Sequence, residues 1–168
     1  MAANESFDIT TGCDLQEVDN AVNQAWKEIQ QRYDFKGVKV KIDFKKEENK
    51  IILNAPDDYK LKAVSEILKT KMIRRNVPVK NLKAGTPETA IGGSMRQELE
   101  LQQGIPTDTA KKIVKFLKDK KMRKVQASIQ KDQVRVTSPS RDELQKVMGF
   151  LKEEDFGVEL NFGNYRSN

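Results

Sequence analysis

The sequence predicts an α+β protein made of two halves that share the element order β-α-β-β-α-β. Two observations indicate this class: apolar residues switch repeatedly between helical spacing and strict alternation, and the pattern starts again after a stretch rich in glycine and proline. That stretch, residues 84–94, has no sustained apolar period and is predicted to be a linker. Each half resembles a ferredoxin-like sandwich, in which two helices cover one face of a four-stranded antiparallel sheet.

The first half begins with a short strand, residues 6–10, and a helix. Asp14 is the predicted N-cap of this helix, and Glu17 stands three positions later, at the spacing of a capping box. Apolar residues then recur every three or four positions from Leu15 to Tyr33, which is typical of one face of a helix. Gly37 ends this stretch.

Two strands, a second helix and an edge strand complete the first half. Residues 38–45 alternate between apolar and charged side chains, which predicts a half-buried strand, and residues 51–55 form the next one. The segment Pro56-Asp57-Asp58 ends that strand and begins a helix that reaches Met72. The segment Val77-Pro78-Val79 is too short to be more than an edge strand.

The second half repeats this order. A strand at residues 96–102 precedes a helix whose predicted N-cap is Thr107. The two-residue turn Lys131-Asp132 joins two alternating strands into a hairpin. Ser140 is the predicted N-cap of the next helix, and Val158, Leu160 and Phe162 form the last strand.

Composition excludes several classes of protein. The chain has 168 residues, no histidine and one cysteine, so Cys/His zinc sites, Ser-His-Asp triads, Cys-His dyads and internal disulfides are impossible within it. No apolar run approaches the roughly 20 residues that span a bilayer, so no membrane span is predicted. The cysteine usage is typical of a reducing cytoplasm, where we expect the protein. No residue pattern predicts a cofactor or a metal, but enzymes built on carboxylates, lysine or Mg²⁺ stay possible.

The positive charge is concentrated between residues 107 and 135, a segment that contains ten basic and three acidic residues. Such a segment either binds phosphate or is a helix surface that lysines keep solvated, and composition does not decide between the two. The residues predicted to neutralise phosphate are Lys111, Lys112, Lys115, Arg123, Lys124 and Arg135.

Alternation in the hairpin predicts a polar sheet face. Gln126 and Ser128 oppose the apolar residues of their strand and are candidates for base or ribose contacts, together with Arg141 at the start of the following helix. The aromatic residues on which RNA-binding sheets of this type stack bases are missing from the central strands. The sequence therefore favours contacts with phosphate, or with a small nucleotide, over sequence-specific reading of RNA.

The segment Arg32-Tyr33-Asp34-Phe35-Lys36-Gly37 allows two interpretations. Its rings either fill the core at the end of the first helix or stack on a base, and in the second case Arg32, Phe35 and Lys36 join the site. The pair Gly92-Gly93 is not followed by the Gly-Lys-Ser/Thr of a P-loop, so no P-loop is predicted.

Seven stretches resemble the YajQ family of bacterial nucleotide-binding proteins, and together they run from Ser6 to Arg166. They are SFDI (6–9), DLQEVDNAVNQA (14–25), RYDFKG (32–37), GGSMRQ (92–97), QGI and AKKIVKFLKD (within 103–119), KVQASIQKDQVRVTSPSRDELQ (124–145) and LNFGNYR (160–166). The chain departs from the family at Ser138-Pro139, where members often carry Gly-Lys, so a basic side chain is lost from that loop.

The resemblance implies two ferredoxin-like domains that exchange their first strands. The first domain would comprise residues 14–83 and be completed by strand 96–102, and the second would comprise residues 94–168 and take in strand 6–10. The resemblance also implies non-enzymatic binding of purine nucleotides, transfer RNA or, in some members, cyclic di-GMP acting through transcription.

Three functional hypotheses follow. In the first, the protein is a regulatory nucleotide-binding protein, and a cyclic dinucleotide would suit a cleft between the domains that Arg32, Phe35 and Lys36 reach. In the second, it is an adaptor that binds a protein of a transcription or RNA-processing assembly. In the third, it is a Mg²⁺ enzyme that uses Asp142 and Glu143, although these acids also suit the first turn of a helix.

Overall fold

The computed structural model of the chain describes residues 4–122 and 124–167. It divides into two compact units. The central unit is Cys13–Gln103, and the terminal unit joins the N-terminal residues up to Gly12 with the chain from Gly104 onwards. In chain order the elements are β1 (Glu5–Thr10), α1 (Leu15–Gln31), β2 (Lys41–Lys45), β3 (Lys50–Ala55), α2 (Asp58–Arg74), β4 (Leu82–Ala84), β5 (Glu88–Thr89), β6 (Met95–Leu101), α3 (Thr107–Asp119), β7 (Gln126–Gln130), β8 (Gln133–Ser138), α4 (Arg141–Glu153) and β9 (Asn161–Ser167). The predicted α+β class is confirmed by four helices and two antiparallel sheets among the described residues.

The terminal unit contains a four-stranded sheet in the order β7-β8-β1-β9. β1 runs antiparallel to both of its neighbours, with Phe7 opposite Val136 and Ile9 opposite Val134. These side chains are fully buried in one core with Ile113 of α3 and residues of α4. Because successive side chains of a strand point to opposite faces, the residues between them lie on the face that the helices do not cover.

The central unit contains a sheet in the order β2-β3-β6-β4, and β5 pairs with β6 beside it. Ile51 lies opposite Leu99 on one face of β3 and β6. These residues and Leu53 are fully buried against Val18 of α1 and Leu68 of α2. The predicted linker, residues 84–94, lies in this unit and includes β5.

Two predicted helix caps are confirmed. Oδ1 of Asp14 accepts hydrogen bonds from the backbone N–H groups of Gln16 at 3.0 Å and Glu17 at 3.4 Å. The hydroxyl of Ser140 accepts from the N–H of Glu143 at 3.4 Å. Thr107 was assigned one residue too late, because α3 starts at Thr107 and its N-cap is Pro106, which has no side-chain acceptor.

Three strand predictions are wrong in position. The edge strand lies at β4 and not at 77–79, because a 3₁₀ turn at Val79–Asn81 follows Pro78. The last strand spans Asn161–Ser167, so Val158 and Leu160 precede it. The strand predicted from residue 38 starts at Lys41. In each case apolar side chains at a strand end pack on a core without joining the ladder of hydrogen bonds.

Within the described ranges, no helix combines the length and the apolar character that crossing a membrane requires. Those same residues contain no group of three or more Cys, Asp or Glu side chains arranged to hold a metal ion.

Candidate functional site

The lysines of α3 point away from the core of the terminal unit. Ala110, Ile113 and Leu117 are buried, and the lysines of the helix lie at positions that face away from these residues. The exposed lysines of the helix are Lys111, Lys112, Lys115 and Lys118. This surface lies on the helical side of the sheet.

The polar residues of the hairpin lie on the other side of the same sheet. Ser128 is opposite Arg135, and Gln126 is opposite Thr137. Their neighbours along the strands, including Val134 and Val136, face the core. The sequence therefore predicted one basic face where the structure has two surfaces, with the lysines of α3 on one and Arg135 with Ser128 on the other.

Arg135 is held by a carboxylate from β1. Its Nε donates a 2.9 Å hydrogen bond to Asp8, which also accepts one of 2.6 Å from Nδ2 of Asn164. Burial by itself raises the pKa of the Asp8 carboxyl, but these two hydrogen bonds and the charges of Arg135 and Arg166 outweigh it and lower the pKa below its usual value. A phosphate at Arg135 would have to compete with this carboxylate.

Arg141 is also engaged within the terminal unit. Its guanidinium lies 3.4 Å from the carboxylate of Glu5 and donates a 3.1 Å hydrogen bond to the hydroxyl of Tyr165. The Tyr165 hydroxyl donates to Glu5, and these contacts lower the pKa of Glu5. Arg141 thereby connects the first turn of α4 to β1 and β9.

Two grooves border α3, and they differ in charge. The first, of about 580 Å³, is lined by Lys112, Lys115, Phe116, Asp119, Glu154, Asp155, Phe156 and Gly157. We call it the acid-lined groove, because its three carboxylates outnumber its two lysines. Phe116 and Phe156 pack edge to face at 5.5 Å in its wall.

The second groove lies between the end of α3 and the edge strand β7 and encloses about 420 Å³. Lys118 and Lys121 provide its charge, Gln126 at the start of β7 also lines it, and no carboxylate of the described residues does. We call it the lysine groove; its other lining residues are Val114, Leu117, Met122, Val125 and Ala127. The phosphate ligands predicted from the sequence do not include Lys118 or Lys121, although both belong to the basic run at residues 107–135.

Comparison with known proteins now assigns the family. A family model described as nucleotide-binding protein YajQ-like matches residues 5–166. The chain belongs to this family. It is 52% identical over 166 residues to a nucleotide-binding protein of Koribacter versatilis, and the match covers 99% of each chain. It is 50% identical to one of Alkaliphilus oremlandii and 48% identical to one of Bacillus cereus, in both cases over 99% of this chain and 100% of the relative.

The family resemblance read from the sequence is thus confirmed, and one departure from the YajQ pattern has a structural role here. Ser138 is buried, and its hydroxyl accepts a 3.1 Å hydrogen bond from the N–H of Ser140, the N-cap of α4. This loop therefore holds the start of α4 in this YajQ-like chain.

Another predicted residue, Lys124, stands in the turn before β7. Lys124 is exposed with a φ of 64°, in the left-handed region. Arg123 lies outside the described residues of this YajQ-like chain. Lys124 is two residues before Gln126, which lines the lysine groove.

The remaining predicted residues belong to the central unit. Phe35 is 4% exposed and packs in its core, which favours the core interpretation for this ring. Arg32 forms a bidentate pair with Asp34 at 2.9 and 2.8 Å, and its guanidinium lies 5.6 Å from the Phe35 ring centre. Lys36 is exposed. Tyr33 is 88% exposed, so the two rings of this segment have different surroundings.

Proposed function

We propose that this chain binds nucleotides, either free or as part of RNA, through the basic surface of the terminal unit and leaves them chemically unchanged. The composition of the lysine groove, with two lysines beside apolar side chains, best supports the proposal. Phosphate oxygens accept hydrogen bonds from ammonium groups, which Lys118 and Lys121 provide. Since no carboxylate lines this groove, its positive potential is not cancelled locally.

The apolar part of the lysine groove supports a ligand that is more than a bare anion. Val114, Leu117, Met122 and Val125 line it beside the lysines. A flat or apolar group such as a purine packs on such a wall while its phosphate reaches the lysines. We propose purine nucleotides, including cyclic di-GMP, as the free ligands and transfer RNA as the polymeric one.

The other predicted residues have secondary roles in this proposal. Lys111, Lys112, Lys115, Arg123 and Lys124 add long-range attraction for phosphate, which speeds encounter. Arg135, Arg141 and Ser128 take part only if the ligand displaces their partners within the unit. Arg32, Phe35 and Lys36 are not required, because they belong to the central unit.

The strand pairing supports the finer fold assignment, which we also propose. β1 lies between β8 and β9, whereas β6 lies between β3 and β4. This arrangement fits two ferredoxin-like domains that exchange their first strands, one of residues 14–83 with β6 and one of residues 94–168 with β1. A reducing cytoplasm remains the proposed location.

Binding of GMP, ATP, cyclic di-GMP and transfer RNA, measured by calorimetry at several salt concentrations, tests the site. We expect the variant Lys118→Gln/Lys121→Gln to weaken the tightest of these ligands about tenfold or more and to lower the salt slope by about two, one for each lost phosphate contact. The matched control Lys112→Gln/Lys115→Gln also removes two positive charges, but from the part of α3 that lines the acid-lined groove. Equal losses in both variants, or no loss in the first, would contradict the assignment to the lysine groove.

Chemical inertness is tested separately. The relatives are named nucleotide-binding proteins. The same nucleotides incubated with the protein and Mg²⁺ should be recovered unchanged by chromatography. Turnover that Asp142→Asn or Glu143→Gln abolishes would support a Mg²⁺ enzyme instead.

A second candidate function is a protein adaptor. The central unit exposes large apolar side chains, namely Tyr33, Tyr59, Ile73 and Ile91, of the kind found in protein interfaces. We propose a transcription-related protein as the partner in this case. Capture from lysate before and after nuclease treatment separates the two functions, because partners held through RNA are lost and direct protein partners stay.

A further inference from the structure

The central unit has a cavity of about 390 Å³ that none of the residues predicted from the sequence lines. It is formed where β2 begins, β3 ends and the glycine-containing turn before β6 passes. We call it the central cavity; its lining residues are Lys39, Val40, Lys41, Asn54, Ala55, Pro56, Gly92 and Ser94. Its volume falls within the range of small-molecule sites.

The charge of the central cavity is positive and is not balanced by its lining. Lys39 and Lys41 are both exposed, and no carboxylate is among the lining residues. The register places Lys41, Asn54 and Arg96 side by side on one face of β2, β3 and β6. Arg96 pairs with Glu98 at 3.0 Å, which leaves the two lysines as the cations of the cavity.

The acidic residues next to the cavity along the chain have other partners. Asp43 stands two residues from Lys41 on the same face of β2, and its carboxylate lies 3.4 Å from Lys45. Asp57 is the N-cap of α2 and accepts a 2.7 Å hydrogen bond from the N–H of Lys60, and Asp58 pairs with Lys62 at 3.3 Å. The field of Lys39 and Lys41 is therefore available to an anion in the cavity.

The other groups of the cavity complete a site for a phosphorylated molecule. The amide of Asn54 and the hydroxyl of Ser94 are donors that suit phosphate oxygens. Gly92 has a φ of 86°, and a Cβ built on it would meet nothing within 4 Å, so the space beside this backbone is open. Val40, Ala55 and Pro56 line the rest, and the first two also pack in or against the core.

We propose that the central cavity binds a small phosphorylated metabolite, with its phosphate at Lys39 and Lys41 and its organic part against Val40 and Pro56. This site is independent of the lysine groove, because it lies in the other unit and shares no residue with it. The chain then has two anion sites of different construction.

Amide chemical shifts of the full chain, titrated with AMP, GMP and inorganic phosphate, test this proposal. We expect saturable shifts at the backbone amides of Val40, Ala55 and Gly92. The variant Lys39→Gln/Lys41→Gln should weaken the AMP or GMP response at these amides about tenfold or more. The matched control Lys27→Gln/Lys46→Gln removes two exposed charges of the same unit that do not line the cavity, and it should leave the response within about twofold.

The variant Lys118→Gln/Lys121→Gln separates this proposal from the proposed function, since it should leave the shifts of the central cavity unchanged. Absence of saturable shifts at these amides would overturn the second site. A response that both lysine pairs of the central unit affect equally would overturn it as well. Equal affinities for AMP, GMP and inorganic phosphate would also overturn it, because the organic part would then make no contact.

Discussion

The carboxylate of Asp8 accepts a 2.9 Å hydrogen bond from Nε of Arg135, a residue 127 positions further along the chain. Asp8 stands on β1 and Arg135 on β8, and Asn164 of β9 donates to the same carboxylate at 2.6 Å. One acidic side chain, 5% exposed, thus connects three neighbouring strands on the sheet face that the helices leave uncovered.

This network makes the stability of the terminal unit dependent on pH. The pKa of Asp8 in the folded chain lies below its usual value of 3.8, so its contribution is present above that value and is lost as pH falls through the lower, folded pKa. We expect Asp8→Ala to reduce the free energy of unfolding by about 2 kcal/mol at pH 7 and to flatten its fall on the acid side of pH ~4. Urea unfolding across that range measures both effects.

Asp43→Ala is the control for this prediction. Asp43 forms a 3.4 Å pair with Lys45 but is 37% exposed, so its removal should change the free energy of unfolding by less than about 0.5 kcal/mol. If the free energy of unfolding of Asp8→Ala falls with decreasing pH as steeply as that of the unchanged protein, Asp8 does not contribute through its ionised form.

The caps of α3 and α4 lead to opposite expectations for two hydroxyl residues. Ser140→Ala removes the acceptor of the Glu143 N–H at the start of α4 and should reduce the free energy of unfolding by about 1 kcal/mol. Thr107→Ala removes a hydroxyl from the first residue of α3, whose N-cap is Pro106, and should be close to neutral. Thermal unfolding of the two variants compares them directly, and a larger loss for Thr107→Ala would contradict the observed helix starts.

Gly104 stands where the chain enters the second part of the terminal unit, and its conformation excludes a side chain. Its φ is 80°, and an added Cβ would lie 2.6 Å from Oδ2 and 2.8 Å from Cβ of Asp132. Gly104→Ala should therefore reduce the free energy of unfolding by about 2 kcal/mol or more, which urea unfolding measures.

Gly149→Ala is the matched change within α4. An added Cβ there meets nothing within 4 Å, so alanine should increase the free energy of unfolding by up to about 1 kcal/mol. Similar stabilities for the two variants would mean that the turn at Gly104 rearranges freely.

The thiol of Cys13 should be nearly inert in the folded chain. Burial raises its pKa to about 11, so at pH 8 only about one thiol in a thousand is ionised. Its backbone is held by the side chain of Gln103, whose Oε1 accepts from the Cys13 N–H at 2.7 Å and whose Nε2 donates to its carbonyl at 3.0 Å.

Reaction with a chromogenic disulfide reagent tests this expectation. The reaction of the folded chain should be slow at pH 8, and its rate should rise about tenfold for each unit of pH up to about 11. The chain unfolded in urea should react fast throughout this pH range. Rapid reaction of the folded chain at pH 8 would contradict the burial of this thiol.

Much of the local structure could be predicted because its causes lie within a few residues. Asp14 and Ser140 accept hydrogen bonds from N–H groups two or three positions away, so a cap can be read from the sequence. The alternation in β7 and β8 correctly assigned Ser128 and Arg135 to one sheet face. The strand ends were less predictable, because Val158 is buried and Leu160 packs against the core although both precede β9.

The candidate site could not be predicted in full, because the contacts that define it join residues far apart in the sequence. Lys112 and Lys118 look alike in a basic run, but the first meets Glu154 and Asp155 in its groove and the second meets no carboxylate in its own. The residue type and position of Arg135 predicted a phosphate ligand. In the structure, the carboxylate of Asp8 on β1 pairs with its guanidinium.

By itself, the sequence determined the α+β class, the two successive sets of elements, the family and the concentration of positive charge, because each depends on residue type and short-range spacing. The tertiary structure decided which of those charges are neutralised and which line a groove. An ion pair forms only where folding brings its two groups within a few ångströms, and residues 8 and 135 meet because β1 pairs with β8.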